Sequence, residues 1–434
     1  MKMKKSFAIG IATALFLTAT TSIYAKSNPD SNLTAKLQAI AKFTKVVNTV
    51  EQYYVDPLTI EDIIEKAIAG LMSNLDAHSA YLDKKSYKEL QIQTSGEFGG
   101  LGITVGMRDG ALTVIAPLEG TPADKAGLKP GDIILKINDK STLDMTLDEA
   151  VNLMRGKPGT KITLTIFRKG EEKPFKVTLT RAIIKVKSVY AKHILKPDYL
   201  YIRITNFDRK VVSSVKKILH NNPHAKGIVL DLRNNPGGLL DQAVGLSDLF
   251  IDKGIIVSQK GRIKSENRVF YAHKKGTYKN IPITVIVNSG TASASEIVSG
   301  ALQDHKRAVI IGEKTFGKGS VQVILPLSKD DAIKLTIARY YLPSGRTIQA
   351  KGITPDVEAY PGKVQKKEDE FAIKEAELKA HLKSELEKVD GKKKKTKENT
   401  KDKNLIDEEK LYNDAQLKEA FDILKALIIA KESK

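Results

Sequence analysis

The sequence predicts an α/β protein whose core carries an inserted β-rich domain and has helical segments at both ends. Apolar strands alternate with helices after residue 199, which is typical of a buried sheet covered by helices. Short alternating strands separated by glycine turns occupy 96–182. Helical periodicity precedes and follows these two regions. The 434 residues are too many for one domain of ~100–200 residues, so several domains are expected.

Composition excludes several classes of protein. The chain has no Cys, which excludes a disulfide scaffold, a Cys nucleophile and a cysteine-ligated metal site. Its hydrophobic content of 41% is that of a folded protein. The net charge of +20 favours anionic surfaces, so a weak contact with a membrane surface stays open. No Arg-rich helix or aromatic–basic motif is present, so no nucleic-acid partner is expected.

The first segment, 1–25, has the layout of a secretory signal peptide. Basic residues at 2, 4 and 5 precede an apolar run over 7–17, and small residues lead to Ala25, after which we expect cleavage. An uncleaved membrane anchor is the alternative, but the run is shorter than the ~20 residues that span a bilayer. The protein is therefore expected to be exported and periplasmic, with inner-membrane association left open.

The remaining chain divides into four regions. In 26–95, apolar side chains recur at helical spacing over 31–54, and Thr59 is expected to cap a second helix. Both apolar stripes are predicted to be core or dimer surface. The β-rich domain is assigned to 96–182 and the α/β core to 183–360. The last region, 361–434, is predicted to be charged and partly disordered, with a basic run over 392–397 and a terminal helix over 411–430.

A strand-to-helix turn offers candidate nucleophiles. The apolar strand over 283–287 runs through small residues into a helix expected over 294–303. Such a turn exposes a hydroxyl beside free helix N–H groups, which acyl transfer requires. Ser289, Ser293 and Ser295 all qualify by position, and helix capping is the alternative role for each.

A serine nucleophile needs a base. His305 is at the far end of the same helix, about 18 Å from Ser293 by helical rise, so it cannot serve within that element. Lys318 is flanked by glycines, a suitable setting for a desolvated, neutral lysine, whereas Lys314 beside Glu313 resembles a solvated ion pair. A further glycine-rich loop after Asp231 lies where α/β sheets bind ligands, although it could also be a simple turn.

Five motifs follow one another along the chain: LDAHSAYL (75–82), GGLGI (99–103), DLRNNPGG (231–238), GTASASE (290–296) and TFGKG (315–319). The chain resembles the carboxy-terminal processing proteases, also called tail-specific proteases, over 75–357. One departure is Ala77, where that family often has Pro.

The resemblance implies a Clp protease/crotonase-like core with a Ser–Lys dyad and no metal or cofactor. It selects Ser293 as the nucleophile, Lys318 as the base and Gln322 as the partner of that lysine. If Gln322 orients Lys318, the chain must turn at Gly319, because four residues along a strand span about 13 Å. The implied oxyanion hole consists of the amide of Ala294 and of one glycine in the pair 237–238, without indicating which.

The β-rich domain resembles a PDZ domain. Gly100, Leu101, Gly102 and Ile103 match the loop whose N–H groups hold a peptide's terminal carboxylate, and the next strand would pair with that peptide. Arg155 resembles a position through which some relatives couple the PDZ domain to the protease, the alternative being a surface arginine.

These resemblances predict an exported serine endopeptidase that recognises the C-terminal tail of protein or peptide substrates with apolar C-termini. They also imply a homodimer and leave an adaptor or activator protein open. The competing prediction is a catalytically silent, PDZ-containing periplasmic binding protein or chaperone. A Ser–His–Asp hydrolase is a third hypothesis. It requires a serine in the Gly-x-Ser-x-Gly turn called the nucleophile elbow, and no serine over 289–295 has both of these glycines.

Overall fold

The computed structural model describes residues 31–364 and 404–433. The expected signal peptide at 1–25 and the basic run at 392–397 lie outside the described residues. The described residues divide into two compact units, the first ending at Tyr81 and the second beginning at Leu82.

The first unit contains two helices, α1 (Ser31–Tyr53) and α2 (Ile60–Ser73). The predicted cap of α2 is confirmed: the Thr59 hydroxyl accepts the Asp62 N–H at 3.1 Å, and the Asp62 carboxylate accepts the Thr59 N–H at 3.2 Å. The Thr59 hydroxyl also donates to the Asp62 carboxylate at 2.8 Å, and this bond together with that of the Thr59 N–H holds the pKa of Asp62 below its ordinary value. The apolar stripe of α1 is mostly exposed, including Leu37 at 59%. A short strand, β1 (Ala80–Leu82), follows at the boundary with the second unit.

The inserted β-rich domain has its own core and a short two-stranded stem. Helix α3 (Lys84–Ser95) leads into strand β2 (Glu97–Gly100). The following elements are β3 (Ile103–Arg108), β4 (Ala111–Pro117), α4 (Pro122–Lys125), β5 (Ile133–Ile137), β6 (Lys140–Ser141), α5 (Leu147–Met154), β7 (Lys161–Phe167), β8 (Phe175–Thr180) and β9 (Ala182–Lys185). The stem is the antiparallel pair β2–β9, and the domain sheet has the order β3-β4-β5-β7-β8. Apolar side chains that alternate along these strands form a separate hydrophobic cluster, so the predicted independent core is confirmed.

The α/β core is built on a seven-stranded sheet with the order β19-β16-β15-β12-β11-β10-β20. Neighbouring strands from β19 to β11 are parallel, and β10 is antiparallel to β11. The strands are β10 (Val189–Ile194), β11 (Lys196–Ile204), β12 (Gly227–Asp231), β15 (Ile283–Val287), β16 (Val309–Gly312), β19 (Val357–Glu358) and β20 (Leu405–Ile406).

A smaller antiparallel arrangement accompanies this sheet. It consists of β13 (Ile255–Gly261), β14 (Arg268–Tyr271), β17 (Ser320–Pro326) and β18 (Ala332–Tyr341). Strand β18 pairs with both β13 and β17, and β13 also pairs with β14. This arrangement places β17 directly after the lysine loop.

Helices cover both faces of the seven-stranded sheet. On one face lie α6 (Val211–Asn221), α7 (Leu240–Asp248) and α8 (Ala294–Asp304), whose apolar side chains join the main core. Alternate strand residues such as Val229 and Ile286 point to the other face, where they pack with Phe421 and Leu424.

The C-terminal segment differs from its prediction. One helix was expected over 411–430, but there are two, α9 (Glu408–Tyr412) and α10 (Ala415–Glu432). The break falls where the Asp414 side chain accepts the Leu417 N–H at 3.1 Å and caps α10. Helix α10 docks on this chain's own sheet, so the described part of the predicted charged tail belongs to the core.

Candidate active site

Three neighbouring parallel strands deliver the predicted site residues to one edge of the sheet. Strands β12, β15 and β16 lie side by side, and the loops 232–239, 288–293 and 313–319 follow their carboxyl ends. Ligands of open α/β sheets bind at this edge, because the loops that leave parallel strands converge there. The three glycine- and serine-rich motifs of the sequence therefore meet.

Ser293 occupies a strained turn at the start of α8. Its φ of 55° and ψ of −114° lie in a region that residues with a side chain rarely adopt. The side chain is half-buried. Ser289 is exposed in the preceding loop, and Ser295 is buried with its hydroxyl donating to the Asn235 carbonyl at 3.1 Å. Of the three candidates, only Ser293 combines a strained backbone with a side chain that is partly accessible to solvent.

Glu296 connects the serine turn to the lysine loop. Its side chain is fully buried, and its Oε2 accepts the N–H of Ser293 at 2.8 Å and of Lys318 at 2.9 Å. Its Oε1 accepts the Thr315 hydroxyl at 2.5 Å and the Gly317 N–H at 2.7 Å. One carboxylate thus fixes the backbones of both predicted dyad residues.

The lysine loop is tightly packed at its glycines. Lys318 is half-buried, whereas Lys314 is exposed. Gly317 has a φ of +95°, and a side-chain carbon on Gly319 would lie 2.4 Å from the Gln349 nitrogen. Both flanking positions therefore require glycine, which holds the Lys318 backbone in place.

Gln322 lies at an irregularity in β17. The pairing of β17 with β18 shifts register between Val321 and Gln322. The Gln322 amide nitrogen donates to the Ser320 hydroxyl at 2.8 Å and to the Thr336 hydroxyl at 3.3 Å. The strand begins at Ser320, immediately after the glycine where a turn was predicted. The orientation of Lys318 by Gln322 stays a prediction.

Gly237 packs directly on the serine turn, and Gly238 packs on the backbone of Phe207. A side-chain carbon on Gly237 would lie 2.8 Å from Ser293 Cβ and 2.9 Å from the Ala294 nitrogen. On Gly238, where φ is +142°, it would lie 2.3 Å from the Phe207 carbonyl oxygen. Side chains larger than hydrogen would therefore separate the two loops or strain them.

The two glycine amides differ in their partners. The Gly237 N–H donates to the Asn235 side-chain oxygen at 2.9 Å. The N–H groups of Gly238 and Ala294 have no acceptor within the part of the chain that the structure describes. Of the three amides in the predicted oxyanion hole, those of Gly238 and Ala294 are therefore the two without a partner among the described residues.

The predicted carboxylate loop of the inserted domain is also in place. Gly100 ends β2, Leu101 is buried, and Gly102 has a φ of +75° and packs against Thr121. Ile103 begins β3, which has a neighbouring strand on one side only among the residues that the structure describes. A cavity of about 270 Å³ lies between this strand and α5, with Ile103, Val105, Val151 and Met154 among its apolar lining residues.

Comparisons with known proteins identify a peptidase family and a peptide-binding type of domain. Residues 198–359 match the sequence profile of peptidase family S41, and 113–168 match that of the PDZ domain. The carboxy-terminal-processing protease of Bartonella bacilliformis is 44% identical over 390 residues, which cover 88% of this chain and 89% of that protein. The carboxy-terminal processing protease CtpA of Bacillus subtilis is 36% identical over 358 residues, covering 81% and 74% respectively.

The chain belongs to the carboxy-terminal processing protease family. It is a serine-type peptidase of family S41 with a PDZ domain, and the predicted fold class is confirmed. Among solved structures, the photosystem II D1 C-terminal processing protease is 27% identical, with a TM-score of 0.42 over 73% of this chain and 92% of that one.

Arg155 lies where a cavity of the PDZ domain adjoins a second cavity. It follows α5, and its guanidinium carbon is 5.2 Å from the centre of the Phe98 ring. It lines both the 270 Å³ cavity and a neighbouring one of about 600 Å³, which Arg209 of the core also lines. A coupling role for Arg155 stays a prediction.

His305 is engaged elsewhere in this fold. Its ring Nε2 lies 2.7 Å from the Ile255 carbonyl oxygen, at the end of α8 opposite to Ser293. This position agrees with its exclusion as the base.

No helix in 31–364 or 404–433 is long and apolar enough to cross a membrane.

Two supporting residues had no predicted role in the chemistry. Glu296 was recognised only as a family marker, although a glutamate three residues after a helix-capping serine is a signal for a capping contact. Asn235 is fully buried, and its backbone carbonyl accepts the Ala292 N–H at 2.9 Å while its amide donates to the Ile204 carbonyl at 2.8 Å. Buried amides of this kind hold loops together, and a single sequence gives no sign of the partner.

Proposed function

We propose that the chain is an exported serine endopeptidase that binds the C-terminal tail of protein substrates at its PDZ domain and cleaves upstream with a Ser293–Lys318 dyad. The observation that carries the proposal is the strained, half-buried Ser293, whose backbone is fixed to that of Lys318 by the Glu296 carboxylate. Strain of this kind concentrates at sites where a side chain must be presented.

The reaction uses the protein's own groups. Neutral Lys318 accepts the proton of the Ser293 hydroxyl as the oxygen attacks the peptide carbonyl carbon. The protonated lysine then donates to the departing amine, and an acyl-enzyme remains. Water attacks this ester, transfers a proton through the lysine and releases the acid with Ser293 restored. Gln322 orients Lys318 in this scheme.

Two backbone amides stabilise the negative oxygen of each tetrahedral intermediate. We assign this role to Gly238 and Ala294, because the Gly237 N–H is already bound to Asn235. An oxyanion donor is worth ~3–4 kcal/mol of transition-state stabilisation, judged from removal of one such donor in another protease.

The PDZ domain selects the substrate end. An extended tail adds to the open edge of β3, and the N–H groups of the loop 100–103 hold its terminal carboxylate. The apolar lining beside this loop favours an apolar last residue. Arg155, at the junction of two cavities, transmits occupancy of the PDZ domain to the core.

Export and assembly complete the proposal. The signal-like N-terminus directs the chain to the periplasm, where it is active as a homodimer. The exposed apolar stripe of α1, which includes Leu33, Leu37 and Ile40, supports a self-association surface.

The test is a digestion assay on the chain starting at Lys26. We would compare wild type with S293A and K318A on a loosely folded protein with an apolar C-terminus. S289A and K314A are matched controls, because each removes the same side-chain type from an exposed position in the same loops. Substrates with an amidated terminus or a terminal Asp test tail recognition.

We expect cleavage by wild type and both controls, and loss of cleavage in S293A and K318A. Full activity of S293A would disprove the assignment of the nucleophile. Equal cleavage of free and amidated termini would disprove tail selection. Binding of the tail without cleavage by any variant would favour the silent binding protein.

A further inference from the structure

The C-terminal helix begins next to a charged residue of the glycine loop. Arg233 lies in the loop 232–239 and is largely buried. Its guanidinium donates to Asp414 through two bonds, at 2.9 and 2.8 Å, and to the Gln416 side-chain oxygen at 3.0 Å. It also donates to Asp231 at 2.7 Å, and the Tyr201 hydroxyl donates to that same carboxylate at 2.8 Å.

The same turn of helix is linked, through Ala359, to the strand that precedes the lysine loop. The Gln416 amide donates to the Ala359 carbonyl at 2.9 Å. The Ala359 N–H donates to the Gly312 carbonyl at 3.0 Å, and Gly312 is the last residue before the loop 313–319. The start of α10 therefore contacts the segments that lead to both Gly238 and Lys318.

These contacts form a connection that is remote in sequence and direct in space. Asp414 lies 181 positions after Arg233, yet its two oxygens match the fork of the guanidinium. Bidentate pairs of this type fix orientation as well as distance. An arginine held in this way restrains the backbone of the short loop that carries it.

We propose that Asp414 and Gln416 are positioning residues, through which the docked C-terminal helix holds the glycine loop and the lysine loop at their catalytic separation. The inference rests on the proposed function, because it assigns these loops to the oxyanion hole and the base. It adds that the region after residue 404, predicted to be a charged tail, is required to form the site.

The charges at this contact favour an ionised pair. Burial alone would raise the pKa of Asp414, but the hydrogen bonds and the charge of Arg233 outweigh burial and hold that pKa below its ordinary value. Arg233 remains paired with Asp231 when Asp414 is neutralised. Helix α10 also remains anchored by Phe421 and Leu424, so a change at Asp414 should loosen the loop without releasing the helix.

The experiment compares D414N, D414E and D422N in the full chain. Asp422 is the matched control, because it lies on the same helix and pairs only with Lys418 and Lys425 among the described residues. We expect kcat of D414N to fall at least about tenfold with little change in KM, since small misplacement of reacting groups is costly. D414E should recover part of the loss, and D422N should match wild type.

Hydrogen exchange provides a readout that does not need cleavage. In D414N, amides over 232–239 should exchange faster than in wild type, while amides over 417–428 keep their protection. Unchanged kcat in D414N would overturn the inference, and so would unchanged exchange over 232–239. Loss of protection over 417–428 would also overturn it, because the helix would then have undocked.

The two proposals fail in different ways. If wild type cleaves no substrate, the proposed function fails, and exchange over 232–239 still decides whether Asp414 positions the loop. If wild type cleaves and D414N is fully active, the function stands and the positioning role is disproved.

Discussion

Replacement of Glu296 by Gln tests how the two residues of the proposed dyad are held together. The carboxylate is fully buried and accepts four hydrogen bonds, two on each oxygen. Gln has almost the same shape, but it has one acceptor oxygen and one NH₂ group. One pair of donors must therefore face another donor.

The structure indicates which orientation costs less. With the NH₂ at the Oε2 position, the N–H groups of both Ser293 and Lys318 lose their acceptor. With the NH₂ at the Oε1 position, the Thr315 hydroxyl can rotate to accept, and only the Gly317 N–H is left facing a donor. The second orientation should prevail.

The expected loss of stability follows from this count. A charge-assisted bond is worth ~1.5–3 kcal/mol, and a buried N–H without an acceptor costs ~1–3 kcal/mol. Burial of a neutral amide instead of a charge recovers part of this. We expect the free energy of unfolding to fall by about 2–4 kcal/mol. Displacement of the lysine loop should lower kcat about 100-fold.

The assay combines urea unfolding with peptide cleavage by E296Q and by a control, S299A. Ser299 is buried on the same helix, and its hydroxyl donates to the Ser295 carbonyl at 2.9 Å within that helix. S299A should lose about 1 kcal/mol of stability and keep its kcat. A kcat for E296Q within twofold of wild type, at a stability loss equal to that of S299A, would refute the reasoning.

Three further predictions concern other parts of the chain. G238A should abolish cleavage, because its methyl group would meet a carbonyl oxygen at 2.3 Å, whereas G345A, at a positive φ in open space, should stay active in the same assay. D132N should destabilise the PDZ domain by ~3–5 kcal/mol, because it breaks a buried pair with Arg168. Burial would raise the pKa of Asp132, but Arg168 holds that pKa below its ordinary value. The stability that this pair contributes is therefore present above pH ~4 and is lost as the pH falls through the pKa of Asp132 in the folded state. If the unfolding of D132N depended on pH as that of wild type does, this prediction would be contradicted. L37E should convert the proposed dimer to a monomer in light scattering, and a monomeric wild type would disprove the proposed dimer.

Local patterns predicted much of the fold because the spacing of apolar residues indicates which side chains are buried. The strand over 283–287 and the capped helix after Thr59 appear as expected. A fully apolar run between turn residues leaves little alternative to a buried strand, and a capping box satisfies two orphan N–H groups locally.

The choice among serines could not be made from local pattern. Ser289, Ser293 and Ser295 are equivalent as small polar residues near a helix start. They differ in backbone strain and in the carbonyl that Ser295 reaches across the site. Both differences depend on the position of the glycine loop, which is more than fifty residues earlier in the sequence. The family motif supplied this choice because it carries the geometry of the assembled site.

The C-terminal helix shows the same limit for packing. Its periodicity predicted a helix but not a partner, because an apolar stripe fits any apolar face. The partner is the sheet face opposite α8, where Tyr201 and Val229 would otherwise be exposed. A parallel sheet must be covered on both faces, and α6, α7 and α8 all join the core on one face. The apolar strands therefore require a helix on the second face of the sheet, and α10 packs there.

This arrangement explains why a tail can influence chemistry. The strands β12, β15 and β16 carry α8 on one face and contact α10 on the other, and their carboxyl ends lead into the loops of the site. A helix that packs under those strands necessarily places its first turn close to one edge of the sheet. Here that turn contains Asp414, and the loop above it contains Arg233. The ion pair between them lets the covering helix act on the position of Gly238, which lies five residues further along the chain.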